Sequence, residues 1–204
     1  MKLQQRDFEM ERNSTAVDIT REKIRSALRD SPPDIDAESR FRRAAVIVPI
    51  VWRREPAILF TRRTEHLPSH AGQICFPGGG YAPADETLIR TALRELQEEI
   101  GVSPESVTVA GFLDAYDTLN TGFRILPVVG FLDDELKLTI NTDEVAEVFE
   151  APLSFVIDPR NHALKYAQRG GVMREFFSIR FGEHEIWGAT AAMIVNLSER
   201  LRQT

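Results

Sequence analysis

The stretch GGGYAPADETLIRTALRELQEEIGV, Gly78 to Val102, decides how this chain is read. Asp85 is placed to cap the start of a helix, with Pro83 just upstream, and Gly101 supplies the left-handed residue that ends one. A helix is therefore expected from about Glu86 to Ile100. At about 100° per residue with Leu88 as zero, Leu88, Ile89, Ala92, Leu93, Leu96 and Ile100 cover an arc from about 0° to about 140°. On the same wheel Glu95 and Glu99 fall near −20° and about +20°, at the edge of the apolar arc, and Glu98 falls near −80°. Three carboxylates spaced i, i+3 and i+4 repel one another, and two of them sit where burial penalises charge. A solvated acidic face, with Arg90 and Arg94 as local partners, suits Glu98 well and the other two poorly. The other reading is a hard divalent cation, which takes oxygen ligands and keeps waters that a phosphate can displace.

Outward from the helix the pattern changes to strands. AAVIVPIVW from Ala44 and AILFTR from Ala57 read as two strands joined at the polar turn Arg53-Arg54-Glu55-Pro56. After the helix come the apolar, β-rich runs SVTVAGFLDAY, FRILPVVGFL, LKLTI and EVAEVF, then REFFSIRF, and a closing helix from about Ala189 to Leu201. Near the start, Asp18 to Asp30 reads as a helix that Ser31-Pro32-Pro33 terminates. Strands on both sides of a helix give a mixed α/β fold with helices covering a largely β core. Residues 1–16 lack periodicity and read as a tail, and 17–204 as one domain, with a helix and connector over 17–42.

Composition excludes several classes of function. The chain has 204 residues, 43% of them hydrophobic and 27% charged, which is ordinary for a soluble globular protein. A net charge of −6 argues against nucleic acid as the main partner. No apolar run approaches the roughly 18 residues of a membrane span, and the charged N-terminus is unlike a signal peptide. The single cysteine, Cys75, cannot form an internal disulfide and favours a reducing compartment, so a cytoplasmic location is expected. It lies between Ile74 and Phe76 and reads as a buried, inert thiol. The sequence leaves a homodimer open.

The helical stretch resembles the Nudix box along its full length. Gly80 is followed after five residues by Glu86, and after seven more by Arg94-Glu95-Leu96-Gln97-Glu98-Glu99-Ile100-Gly101-Val102. At roughly 5–10% per residue type, seven chance identities arise around once in 10⁸ start positions, so the match is specific. The resemblance implies an α/β/α sandwich and Mg²⁺- or Mn²⁺-dependent hydrolysis of a nucleoside diphosphate linked to a further group. It implies Glu95, Glu98 and Glu99 as metal ligands, with Glu98 and Glu99 serving catalysis. It further implies that Arg94 orients a catalytic carboxylate, and that Glu86 and Gly80 hold the shape of loop and helix.

The segment before the box, LFTRRTEHLPSHAGQICFPGGG, resembles the extended motif of the coenzyme A diphosphatase branch. The matching residues are Leu59, Phe60, Thr61, Arg63, His70, Gly72, Gln73, Phe76, Pro77, Gly78 and Gly79, and the similarity runs from about Ala44 to Leu201. Pro68 stands where many members of the branch carry a basic residue. Arg62 and Arg63 are therefore the candidates for gripping phosphate, since Arg recognises it bidentately. Gly78 and Gly79 are expected to let backbone approach the diphosphate. His70 and Gln73 read as structural hydrogen-bonding residues of the loop, and Trp187 as packing at the start of the last helix. For the base, Asp143, Glu144, Glu147 and Glu150 are candidates, and Glu144 is assigned because it follows the polar turn Asn141-Thr142. An exposed acidic turn is the alternative. The readings of function are a coenzyme A diphosphatase, a Nudix hydrolase of ADP-ribose, NADH or another dinucleotide, and a nucleotide-sensing domain without turnover.

Overall fold

The structure, a computed structural model, describes residues 19–35, 40–118, 121–169 and 171–204. The expected tail and the residue Asp18 lie outside these. In chain order the elements are α1 (Arg21–Ala27), β1 (Arg42–Val51), β2 (Ala57–Arg63), β3 (Ile74–Cys75), β4 (Gly78–Gly80), α2 (Leu88–Ile100), β5 (Val107–Phe112), β6 (Tyr116–Thr118), β7 (Phe123–Leu132), β8 (Val145–Pro152), α3 (Leu153–Val156), β9 (His162–Arg169), β10 (Val172–Phe181), β11 (His184–Trp187) and α4 (Ala189–Gln203).

The main sheet runs β3-β2-β1-β7-β5, with β4 also on β1, β6 on β7 and β8 on β2. It is mixed: β1 and β7 pair in parallel from Arg42–Phe123 to Val51–Leu132, and the other pairs are antiparallel. Alternation divides its side chains between two cores. Ala45, Ile47, Val51, Leu59, Leu126, Val128 and Leu132 pack against Ala92, Leu96 and Ile100 of α2. Val48, Ile50, Ile58, Phe60, Val129 and Phe131 pack on the other face against Ile24, Ala27 and Leu28 and against Ala191, Ile194, Leu197 and Leu201 of α4. Helix, sheet and helices form the expected α/β/α sandwich. A second, antiparallel sheet, β11-β10-β9, precedes α4.

Three expectations change. The first helix ends at Ala27, before the prolines, because Arg29 turns to exchange two 3.0 Å backbone hydrogen bonds with Phe112. The glycine triplet is a short strand pairing Gly78, Gly79 and Gly80 with Val46, Ala45 and Ala44. LKLTI is no strand but a strap across the end of α2, where Thr139 N donates to Ile100 O and Asn141 N to Glu99 O, each at 2.9 Å. These bonds occupy carbonyls that the last turn of a helix leaves free.

Candidate active site

The site is built on α2 and the loop that enters it. Its N-cap is Thr87, whose Oγ1 accepts from Arg90 N at 3.2 Å, and not Asp85. Asp85 instead ends a short turn from Pro83 and buries its carboxylate, accepting from Arg94 Nε at 2.8 Å, a second Arg94 nitrogen at 3.2 Å, Thr91 Oγ1 at 2.8 Å and Ala82 N at 3.1 Å. The Arg94 bonds are the chief reason its carboxyl is held at about 2. No local pattern marks Asp85 for this role, because its partner lies nine residues on and the contact needs the turn between them. Glu86 next to it has φ of 63°, a conformation rare outside glycine, and its exposed carboxylate stands 3.8 Å from Arg90. It shapes the loop through its backbone. Gly80 O accepts from Arg94 at 3.4 Å.

Anchored on Asp85, Arg94 spans two of the expected ligands. Its Nη1 lies 2.8 Å from Glu95 Oε1 and 2.6 Å from Glu98 Oε2. The helical wheel is borne out: Glu99 is 2% exposed and the Glu95 side chain 15%, whereas the Glu98 side chain is 53% exposed. Glu99 Oε1 accepts from Gly78 N at 3.4 Å, and its Oε2 is buried with no hydrogen-bond partner. Burial, above all, pushes the Glu99 carboxyl up to about 8; Glu95 and Glu144 add to this, against Gly78 N and Arg63. Burial also raises Glu95, against the pull of Arg94. The space beside Gly79 belongs to Glu95, since an added Cβ would lie 2.5 Å from Glu95 Cδ.

Among the described residues, no three carboxylate, imidazole or thiol groups already converge as a metal cage, for Arg94 supplies the positive charge between Glu95 and Glu98. The donor set nevertheless fits a hard divalent cation. Every candidate donor is an oxygen, and the orphaned Glu99 Oε2 and the raised carboxyls of Glu95 and Glu99 are what a cation would stabilise.

The strap brings Glu144 near this cluster. Its Oε1 accepts from Asn141 Nδ2 at 3.3 Å, its carbonyl holds Thr64 N at 2.9 Å, and its charge is felt by both Glu95 and Glu99. Glu147 is directed elsewhere: it takes Arg62 Nε at 2.8 Å and lies 3.0 Å from His184 Nε2, whose ring stacks on Phe149. Arg62 and Arg63 thus part company, as neighbours on a strand must. Arg62 lines a cleft of about 620 Å³ on the face away from the glutamates, with Gln73, Glu147, His184 and Trp187. Arg63 faces Glu99 and Cys75, lowering the pKa of both, and its buried Nε has no partner. The loop residues behave as read, with His70 Nδ1 2.7 Å from Gln73 Oε1 and Gln73 O accepting from Arg63 N at 3.0 Å. Burial pushes the Cys75 thiol up to about 11, so it is inert at neutral pH. Trp187 is half-buried at the cleft, edge-on to Phe176 at 5.7 Å, rather than in the core.

A NUDIX domain model matches residues 41–169. The chain belongs to the Nudix family. The uncharacterized Nudix hydrolase NudL of Citrobacter koseri is 43% identical over 168 residues, which cover 81% of this chain and 86% of that one. NudL of Escherichia coli O7:K1 is 40% identical over 168 residues with the same coverage of each chain. A MutT/nudix family protein from Enterococcus faecalis superposes with a TM-score of 0.54 at 14% identity, over 84% of this chain and 66% of that one, a likeness of fold alone. As a Nudix hydrolase, the protein is a pyrophosphohydrolase acting on nucleoside diphosphate-linked substrates, and the family generally uses divalent metal ions. Among the described residues, no helix is long and apolar enough to cross a membrane.

Proposed function

We propose that this Nudix hydrolase cleaves coenzyme A or its derivatives at the diphosphate, giving a 4′-phosphopantetheine species and adenosine 3′,5′-bisphosphate. Arg63 carries the reading. It belongs to the extended motif before the box, and its free Nε lies on the face of Glu99 and Glu144, where a diphosphate would accept from it. Arg62, committed to Glu147 on the opposite face, takes no part.

Glu95, Glu98 and Glu99 would hold Mg²⁺ or Mn²⁺, which when bound supplies charge neutralisation at the phosphoryl oxygens and acidifies the attacking water. The remaining work falls to the chain. Arg63 binds and orients the diphosphate, and the bare backbone of Gly78 and Gly79 lets the loop lie against β1 and leaves Glu95 its place beside it. Asp85 fixes Arg94, and Arg94 fixes the carboxylates of Glu95 and Glu98. Glu144, tied to the end of α2 through Asn141, takes the proton from the attacking water as general base. Incubation with Mg²⁺ and a panel of coenzyme A, acetyl-coenzyme A, ADP-ribose and NADH tests the proposal. Release of adenosine 3′,5′-bisphosphate, faster than any product from ADP-ribose or NADH, is the expected outcome. Preference for either dinucleotide replaces the substrate, and silence across the panel leaves a nucleotide-sensing domain.

A further inference from the structure

At the start of β1 the mechanism leaves two arginines unused. Arg42 and Arg43 point to opposite faces by strand alternation, and each lies over an aromatic ring: Arg42 over Phe123 and Arg43 over Tyr81, both with the guanidinium carbon 4.0 Å from the centroid. Tyr81 stands two residues beyond Gly79, so its ring is on the face that Glu95 occupies, and its N donates to Arg43 O at 3.0 Å. In the parallel register Arg43 lies beside Arg124 of β7, on the same face. Arg124 is bound to Asp117 through contacts of 2.6 and 2.8 Å, which satisfies the nearby carboxylate. Arg43 forms no ion pair with any described carboxylate.

This arrangement differs from an ordinary surface arginine. The guanidinium carbon sits 4.0 Å from the ring centroid, which orders the side chain, and a guanidinium stacked on a ring can still offer its N–H edge to a bidentate acceptor. Its distance from the chemistry follows from the sheet. Ala45 pairs with Gly79 beside Glu95, and Arg43 is two residues earlier, about 7 Å along the strand. A cation without an ion-pair partner among the described residues is thus anchored two strand residues from the position beside Glu95, on the same face, in a chain of net charge −6.

We infer that Arg43, stacked on Tyr81, forms a second anion subsite that reads a phosphomonoester on the nucleoside half of the substrate. The inference rests on the coenzyme A reading, in which that group is the ribose 3′-phosphate. Arg63 attends the diphosphate; Arg43 attends the phosphate that ADP-ribose and NADH lack. A charge-assisted bidentate contact at a solvent-accessible site is worth about tenfold in affinity.

The test compares kcat/KM for coenzyme A and dephospho-coenzyme A in the wild type, Arg43→Ala and Arg43→Lys. The wild type is expected to favour coenzyme A about tenfold. Arg43→Ala should bring that ratio close to one, through KM rather than kcat, and Arg43→Lys should restore part of it. An unchanged melting temperature establishes that the variants fold. A wild-type ratio near one, or a ratio that survives Arg43→Ala, overturns the subsite. If neither coenzyme is cleaved while ADP-ribose or NADH is, the proposed function fails by itself. Calorimetry with adenosine 3′,5′-bisphosphate and AMP then decides the subsite: tighter binding of the bisphosphate, lost in Arg43→Ala, supports it, and equal binding overturns it.

Discussion

Glu99 is a carboxylate whose burial costs stability, and the proposed function gives that cost a purpose. Its ordinary pKa of 4.5 is raised to about 8, chiefly by burial. Between those values the folded chain keeps a proton that the unfolded chain has lost, so metal-free stability falls as pH rises through this window and levels off above it. Glu99→Gln removes the titration while keeping the volume. In EDTA at pH 8.5 the variant is expected to melt above the wild type, by an amount worth ~1–4 kcal/mol, and to converge with it near pH 4.5. Turnover with saturating Mg²⁺ should be almost abolished. A variant no more stable than the wild type at alkaline pH would show that the buried carboxylate carries no such cost. Arg63 belongs to the same scale. In the proposed function its guanidinium would meet the diphosphate in ground and transition states alike, so Arg63→Ala should raise KM far more than it lowers kcat. Because it lies by Glu99, the penalty should be equal on coenzyme A and dephospho-coenzyme A. A penalty confined to coenzyme A would move Arg63 to the 3′-phosphate.

At the scale of elements, what the sequence revealed and what it hid have a common physical basis. The helix from Leu88 was legible because its apolar arc, its acidic edge and Gly101 are all local signals. So was the separation of Glu98 from Glu95 and Glu99. Thr87 as the cap was missed because Asp85 is as good a capping residue, and only the turn at Pro83–Asp85 commits it to Arg94. The division between Arg62 and Arg63 could have been read from strand alternation alone. The strap could not: Leu136 to Ile140 alternates like a strand, but the N–H groups of Thr139 and the following Asn141 are taken by the end of α2 rather than by a neighbouring strand. β9, whose run HALKYAQR carries little apolar pattern, was missed for want of a local signal. The strap gives Gly101 a second duty besides its φ of 75°, since an added Cβ would lie 2.7 Å from Thr139 Cβ and 3.0 Å from its backbone N and O. Gly101→Ala combines backbone strain with a clash, and a loss of ~2–3 kcal/mol is expected in urea unfolding. As the strap also carries Asn141 and Glu144, kcat should fall at temperatures where the variant is still folded. Full kcat in a destabilised variant would separate the strap from catalysis.

For the whole molecule, the two cores make a rigid frame, and in the proposed function the acidic cluster is where that frame would bind charge it does not itself supply. α2 is pressed on the sheet by Ala92, Leu96 and Ile100, so Glu95 and Glu99 cannot swing away into water without losing that packing. A divalent cation that binds them in the folded state alone must stabilise the fold by mass action. At a free concentration of 100 times its Kd this amounts to about 2.7 kcal/mol, or roughly 5–10 °C in Tm for a chain of this size. A cation held by Glu99 would need it ionised, so its binding would release a proton below the raised pKa of about 8. The Tm gain from Mg²⁺ should therefore be larger at pH 8.5 than at pH 6, and small in Glu99→Gln at both. Turnover should follow the same course, rising toward alkaline pH as the ligand and the attacking water lose their protons, and should vanish in excess EDTA. Calorimetric scans and initial rates across that pH range, with and without Mg²⁺, measure both. Equal Tm gains at the two pH values would uncouple metal binding from Glu99, and full turnover in EDTA would remove the metal from the mechanism.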